Sequence, residues 1–323
     1  MISVIIISKN RHHLLTHLLK SLEEQTFNDF EVIIIDNYSN EETVNYVKSI
    51  TSDKFNVKKI FLPEEKTIAY CRNESFRGKY LDDNSKYVMF IDDDDCISRD
   101  TLSWFYKRAV STNAEIVISN FVSVFSKNGS CEELISKMSY SEVFFKLLRN
   151  FWMYVMGHLL FYKHFRSMMI HLRYSVMHSI LIKREVFNNY AFDNSIIYGE
   201  DNHFRFNVFT TAKKIKYYPL FFVPYRKHGT NTQNDTYFQK KVHMLNSLDF
   251  LDRNSYPNVL KYLFLYKIQL KLKSKALLSP QEKSFINSVN LIRKEISFFE
   301  KAKVNIYMFP SSLKNHLKIN EKD

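Results

Sequence analysis

Tyr87-Val88-Met89-Phe90-Ile91 is an unbroken apolar run that stops abruptly at four carboxylates, Asp92-Asp93-Asp94-Asp95. A run of this length with no polar alternation reads as a strand buried on both faces, as in parallel sheets covered by helices. Toward the amino terminus three more short runs share its character: Ser3–Ile7, Glu31–Ile35 and Val57–Leu62. Helical patterns separate them. Leu14, Leu15, Leu18, Leu19 and Leu22 trace one apolar face, Val44, Val47 and Ile50 mark a second helix, and residues 68–80 hold a third. Strands alternating with helices predict an α/β fold whose central sheet is mainly parallel, with helices on both faces.

In open sheets of this kind ligands bind beyond the carboxyl ends of the strands. That rule selects Ser8–Arg11 after the first strand, Asp36–Asn40 after the second and Asp92–Asp95 after the fourth. No glycine-rich turn joins the first strand to the first helix and no GxxxxGK[ST] occurs, so the dehydrogenase and P-loop readings lose their main support. Downstream the pattern is mixed. Glu115–Val124 is strand-like, an aromatic-rich helical region runs to about residue 175, and Ser179–Ile182 is a short strand. A helix is predicted over Asp201–Ala212 and a strand over Ile215–Val223. The chain divides into residues 1–235, with halves 1–112 and 113–235, and a mainly helical region, 236–323. In the latter, Ser279-Pro280-Gln281-Glu282 is a capping box with Pro at the first helical position. Phe285, Ile286, Val289, Ile292, Ile296 and Phe299 then trace one face.

The bulk properties agree with a folded globular protein: 323 residues, 45% hydrophobic and 25% charged. The opening apolar run is too short to span a bilayer, and the two later greasy stretches are broken by Lys146, Arg149, His158 and Arg173, so no transmembrane helix is predicted. Three cysteines at spacings matching no zinc or CxxC pattern favour a reducing compartment. The net charge is +12, and residues 236–323 carry sixteen Lys/Arg against seven Asp/Glu, three-quarters of the excess. Lysines there alternate with aromatic and aliphatic residues, a composition suited to an anionic membrane surface or acceptor, or to a solvated face whose apolar residues pack inward.

Three groups carry chemistry. Four carboxylates at the end of a buried strand repel one another, and a hard cation ligated by oxygen relieves that. If the extended conformation persists, Asp92 and Asp94 fall on the same side, and Mg²⁺ or Mn²⁺ suits such a pair together with phosphate oxygens. A solvated turn capping the helix after Asp100 is the competing reading. Glu200-Asp201 stands ahead of a helix, where acids cap free N–H groups or, in a site, act as a general base. Tyr225-Arg226-Lys227-His228-Gly229-Thr230 is a basic loop able to neutralise a diphosphate or ligate a metal, or an ordinary surface loop. His12, His13, His158, His164, His171 and His178 show no ligand spacing and read as structural or exposed.

Taken together, these segments resemble glycosyltransferase family 2, of the GT-A fold, over about residues 2–232. Ser3–Arg11 resembles the family's opening strand and its Tyr-Asn-Arg segment, with Lys9 in place of the tyrosine. Glu31–Asn37 follows in order; Ala69, Arg72 and Asn73 match an Ala-Arg-Asn segment, with Glu74 departing from the usual small residue. Phe90–Asp95 matches the Asp-x-Asp motif, Glu200-Asp201 the acidic pair holding the base, and Arg226 and His228 the late basic segment.

The resemblance implies a nucleotide site built from Ser8, Asn10, Arg11, Asp36, Arg72, Asp92 and Asp93. It implies a Mn²⁺ or Mg²⁺ site at Asp94 and His228, a diphosphate site at Arg226 and His228, and catalysis by Asp201 with Glu200 as the alternative base. The implied activity is inverting transfer of a hexosyl or N-acetylhexosaminyl group from a nucleotide sugar, UDP-sugar by default, to a glycan or lipid-linked acceptor. The implied setting is bacterial surface-glycan synthesis in the cytoplasm or at the inner face of the plasma membrane. No nucleic-acid partner is expected, and the oligomeric state stays open. Nucleotidyl transfer and a non-catalytic glycan- or polyanion-binding module are the rival readings.

Overall fold

The computed structural model describes residues 1–77, 80–125, 136, 140–160, 177–196 and 200–227, and within the carboxy-terminal region 280, 283, 286–287, 290, 293–294, 296–304 and 306. The first half follows the alternation of apolar runs and helical faces. Strands β1 (Ile2–Ser8), β2 (Phe30–Asp36), β3 (Asn56–Phe61) and β4 (Tyr87–Asp92) alternate with helices α1 (His12–Glu23), α2 (Glu41–Ser49) and α3 (Ile68–Arg77). Helix α4 (Thr101–Thr112), strand β5 (Ile116–Phe125) and helix α5 (Tyr140–Leu160) come next, then β6 (Ile180–Lys183), α6 (Glu200–Thr211) and β7 (Ile215–Lys227).

The seven strands form one sheet in the order β3-β2-β1-β4-β6-β5-β7, in which β6 alone runs against the others. The chain leaves β1 toward β2 and β3, then returns to place β4 on the other side of β1. That reversal opens a crevice at the carboxyl ends of β1 and β4, where α/β sheets bind ligands. The register makes the ends level: Ser8 stands opposite Asp36, and Ile7 opposite Asp92.

Both faces of the central strands are covered, which is why their sequences run apolar without alternation. One face sets Val4, Ile6, Val32, Ile34, Met89 and Ile91 against Leu15, Leu18 and Leu22 of α1 and Leu102 and Phe105 of α4. Leu15, Leu18 and Leu22 are fully buried, and truncating such a side chain to Ala costs about 2–5 kcal/mol. On the other face Phe90 meets Phe187 and Phe192, and Phe192 stacks on Phe204 of α6 with ring centroids 4.0 Å apart. At the amino-terminal end of the sheet Glu31 is buried and satisfied by Ser3 Oγ at 2.5 Å, the Asp82 amide at 2.7 Å and Lys58 Nζ at 2.9 Å.

Two expectations are corrected. The strand predicted to stop at Val223 runs on to Lys227, through Pro224. Proline is tolerated there because β7 is an edge strand, paired on one side only. The apolar face predicted to run through Phe299 on one helix is interrupted at Ile296 and Ser297. A new helix starts after Ser297, whose hydroxyl and amide exchange hydrogen bonds with Glu300, a capping box that ends the earlier periodicity. Ile296 is buried, whereas Phe299 is exposed.

The chain clusters into two compact units, Met1–Asn150 with Leu172–Asn231, and Phe151–His171 with Thr232–Asp323. The capping box at Ser279–Glu282 lies outside the described residues apart from Pro280, as do His228 and the lysine-rich runs between 236 and 279. Among the described residues no helix is long and apolar enough to cross a membrane, and Cys71 and Cys96 are buried.

Candidate active site

The site begins where β4 runs out. The chain turns at once, the Asp95 amide donating to the Asp92 carbonyl at 3.0 Å. The turn, not continued strand alternation, gathers the carboxylates: Asp92, Asp94 and Asp95 each offer an oxygen, all within 4.8 Å of one another. Asp92 is half-open to solvent, its side chain 49% exposed, while Asp93, Asp94 and Asp95 are buried.

The four carboxylates are treated differently. Arg11, at the start of α1, reaches across the crevice and places Nη1 3.3 Å from Asp93 and 3.2 Å from Asp94. Burial pushes the Asp93 carboxyl up to about 7 even though Arg11 pulls it down. Asp95 is fully buried and accepts the Arg226 amide at 2.9 Å. Its other oxygen lies 3.0 Å from Nδ1 of His178, whose Nε2 is 2.9 Å from the Pro224 carbonyl. Burial disfavours the charged imidazole, but Asp95, Asp92 and the Pro224 carbonyl outweigh it and raise His178 to about 9.

The second carboxylate group reaches the first through Arg72. This arginine of α3 is buried beneath Phe192, its guanidinium carbon 5.2 Å from the ring centroid. It donates from Nη1 to Glu200 at 2.9 Å and from Nη2 to Asp92 at 3.4 Å. Asn73 beside it fixes the loop before α6, exchanging hydrogen bonds with the Phe192 backbone at 2.8 and 2.9 Å. Burial raises Glu200 to about 7, with Arg72 opposing and Asp201 adding repulsion. Asp201, next along, has a side chain 29% exposed and accepts Arg205 Nη2 at 2.8 Å, one helical turn on.

The other side of the crevice is built from the ends of β1 and β2. Ser8 and Asp36 are both buried, and one Asp36 oxygen takes the Ser39 amide at 3.0 Å. Asn10 sits at a positive φ of 55°, a conformation that asparagine tolerates better than most residues. It joins the two loops, taking the Asn40 amide on Oδ1 at 2.7 Å while its own amide donates to Ser39 Oγ at 3.0 Å. Lys9, where the family pattern has tyrosine, pairs with Glu65.

Ser8, Asn10, Arg11, Asp36, Arg72 and Asp92–Asp95 thus come from the carboxyl ends of β1, β2 and β4 and from α3, and Glu200 is drawn to them by Arg72. Arg226 is buried, its amide on Asp95. His178, read as merely structural or exposed, is in fact paired with Asp95, 83 positions away. Local spacing carries no signal for such a contact. Arg205 was legible: Asp201 and Arg205 are one helical turn apart, the spacing at which opposite charges pair.

The acidic turn fits a divalent cation. Its donors are all oxygen, as Mg²⁺ and Mn²⁺ require. Among the described residues Arg11 pairs with Asp93 and Asp94, Arg72 with Asp92 and Glu200, and His178 with Asp95.

Comparison with known proteins agrees with this architecture. The chain is 24% identical over 273 residues to a cholesterol galactosyltransferase of Borreliella burgdorferi, covering 82% of this chain and 72% of that protein. S. aureus TarS 1-349 in complex with UDP superposes with a TM-score of 0.56 at 16% identity, over 99% of this chain and 93% of that one. A mannosyltransferase from Pyrobaculum calidifontis in complex with GDP-Man and Mn²⁺ gives a TM-score of 0.50 at 12% identity, over 98% and 75% of the two chains. These likenesses identify the GT-A fold. The model of glycosyl transferase family 2 matches residues 3–190. That stretch is more than half of the 323 residues, and the chain belongs to glycosyl transferase family 2.

Proposed function

We propose that this glycosyltransferase moves a hexosyl or N-acetylhexosaminyl group from a nucleoside-diphosphate sugar, a UDP-sugar first, to a hydroxyl of a surface glycan or lipid-linked acceptor, with inversion. One observation carries the reading. Arg72 ties Asp92 of the acidic turn to Glu200, the neighbour of Asp201, so the acidic turn and a partly open carboxylate belong to one site.

A divalent cation, Mn²⁺ or Mg²⁺, supplies when bound the positive charge that stabilises a diphosphate leaving group. Asp92 and Asp94 are the residues to hold it. Ser8, Asn10 and Asp36 are placed to receive the nucleoside, and Arg11 to stabilise charge beside Asp93 and Asp94. Asp201 is the base: it accepts the proton of the acceptor hydroxyl as that oxygen attacks the anomeric carbon. The bond from that carbon to the diphosphate oxygen breaks with its electron pair going to the diphosphate. Glu200 is a weaker candidate because it is buried and engaged with Arg72, whereas Asp201 is the more exposed of the two. Arg226 contributes charge beneath the turn, and direct contact with the diphosphate falls to His228.

The UDP complex of TarS supports a UDP-sugar, and the GDP-Man complex makes GDP-mannose the second donor to try. The decisive experiment is a donor screen scoring nucleoside diphosphate release with Mn²⁺ and with EDTA, followed by NMR assignment of the product's anomeric configuration. Release of pyrophosphate from a sugar phosphate and a nucleoside triphosphate would instead identify nucleotidyl transfer. The basic region 236–323 is proposed to bring the enzyme to an anionic membrane surface or acceptor. Flotation with anionic vesicles at low salt, lost at high salt and after deletion of 236–323 from a still-folded chain, is the expected result.

A further inference from the structure

We propose that His178 is a positioning residue of the donor site, which holds Asp95 against β7 and so fixes the turn that presents Asp92 and Asp94 to a cation. The inference deepens the proposed function and depends on its metal-assisted donor site.

The geometry is the argument. Asp95 and His178 are both fully buried. One carboxylate oxygen accepts the Arg226 amide at 2.9 Å, and the other lies 3.0 Å from His178 Nδ1. On its other side the imidazole has Nε2 2.9 Å from the Pro224 carbonyl. A carbonyl only accepts, so Nε2 carries the proton of that bond. The ring runs nearly parallel to that of Tyr225, at an interplanar angle of 14°.

The consequence is a division of labour within the turn. Asp92, Asp94 and Asp95 all approach within 4.8 Å, yet Asp95 is fully buried and held by the Arg226 amide and His178. Arg11 reaches Asp93 and Asp94, and Arg72 reaches Asp92. Asp92 and Asp94 have the most exposed side chains of the four, 49% and 11%, and are the two that a cation can approach. His178 and Arg226 also bind the turn to consecutive parts of β7, fixing where the chain goes after Asp94. Residues that hold ligands in place in this way typically matter 10–100-fold in metal affinity.

The test uses the full-length protein, with Mn²⁺ binding in the presence of UDP followed by the electron paramagnetic resonance of free Mn²⁺, and UDP binding in EDTA followed by calorimetry. Wild type should bind Mn²⁺ with UDP and Asp94→Ala should not; failure of that arm overturns the metal-assisted site itself and this inference with it. If it holds, His178→Ala should weaken Mn²⁺ binding by about 10–100-fold and leave UDP affinity in EDTA within about twofold. His178→Gln, whose amide can still donate to Asp95, should recover a large part of the loss. Should His178→Ala fail to fold, His178→Gln and the pair Asp95→Asn/His178→Gln carry the test, with intermediate Mn²⁺ affinity expected in the first. Wild-type Mn²⁺ affinity in a folded His178 variant with only a lower melting temperature would overturn the inference and leave His178 a stability residue. Equal losses with Mn²⁺ and in EDTA would overturn it too, because they would place His178 in nucleotide binding rather than behind the acidic turn.

Discussion

The two ends of the same sheet bury carboxylates in opposite ways. At the amino-terminal end Glu31 is closed off, with hydrogen bonds from Ser3 and the Asp82 amide and an ion pair to Lys58. At the carboxyl end Asp92–Asp95 and Glu200 share Arg11, Arg72 and His178, and Asp93 and Glu200 are raised to about 7. A buried charge with all its partners inside the protein is architecture. A cluster of carboxylates with raised pKa values beside a crevice is a candidate site, where a group from solution can add charge.

The contrast is tested most severely by removing one carboxylate from each end. Asp94→Ala should abolish Mn²⁺-dependent UDP binding and with it detectable transfer, since metal stabilisation of a leaving group is worth several kcal/mol. Calorimetry with UDP and Mn²⁺ checks this, and wild-type affinity in the variant would remove Asp94 from the metal site. Asp201→Asn should keep UDP binding and lower turnover by about 10²–10⁴-fold, the usual contribution of a general base. Turnover within about tenfold of wild type would transfer the role to Glu200.

Glu31→Gln should do the reverse. Its amide cannot replace the charge facing Lys58, and a compromised buried acceptor costs about 1–3 kcal/mol. Lys58 is partly exposed, which places the loss toward the lower figure. Urea denaturation should show the loss while UDP affinity in Mn²⁺ stays within about twofold. A change in affinity larger than that would mean the two ends are coupled and the distinction between them is false.

Much of this contrast could be read before any coordinates. Strands β1, β2 and β4 are buried on both faces, so after Ser3 and Glu31 their sequences run apolar until Ser8, Asp36 and Asp92, the polar residues at their carboxyl ends that mark the candidate site. The second half resisted because its information is long-range. The order β4-β6-β5-β7 is not sequential, and the register of β5 on β7 shifts between Ser119 and Asn120. There Asn120 donates from Nδ2 to the Pro219 carbonyl at 3.1 Å, a side-chain bond that no periodicity announces. The same holds in the site. Asp92 and Asp94 were found by type and spacing, but the contacts of Arg72 with Glu200 and of Asp95 with His178 join residues 128 and 83 positions apart.

The mildest test of the contrast uses protons as the added charge. Glu200 has a folded-state pKa of about 7 because burial and its acidic neighbours outweigh Arg72, above the ordinary glutamate value of about 4.3. Between those two values the folded protein keeps a proton that the unfolded chain has released. Stability from this group is therefore present at low pH and falls as pH rises from about 4.5 through 7. At about 1.4 kcal/mol per unit the loss has an upper bound of about 4 kcal/mol, and Arg72, shared between Glu200 and Asp92, keeps the measured figure below it. Glu200→Gln removes the group's titration, so the metal-free variant should lose less stability than wild type between pH 4.5 and 7.5, a difference read from melting temperatures at the two pH values. Saturating Mn²⁺ and UDP should shrink the wild-type loss as well, because ligands that bind the folded state hold it together increasingly as the carboxylates ionise. Parallel pH profiles for wild type and Glu200→Gln would show that Arg72 fully compensates Glu200, and would move this residue from the open end of the sheet to the closed class represented by Glu31.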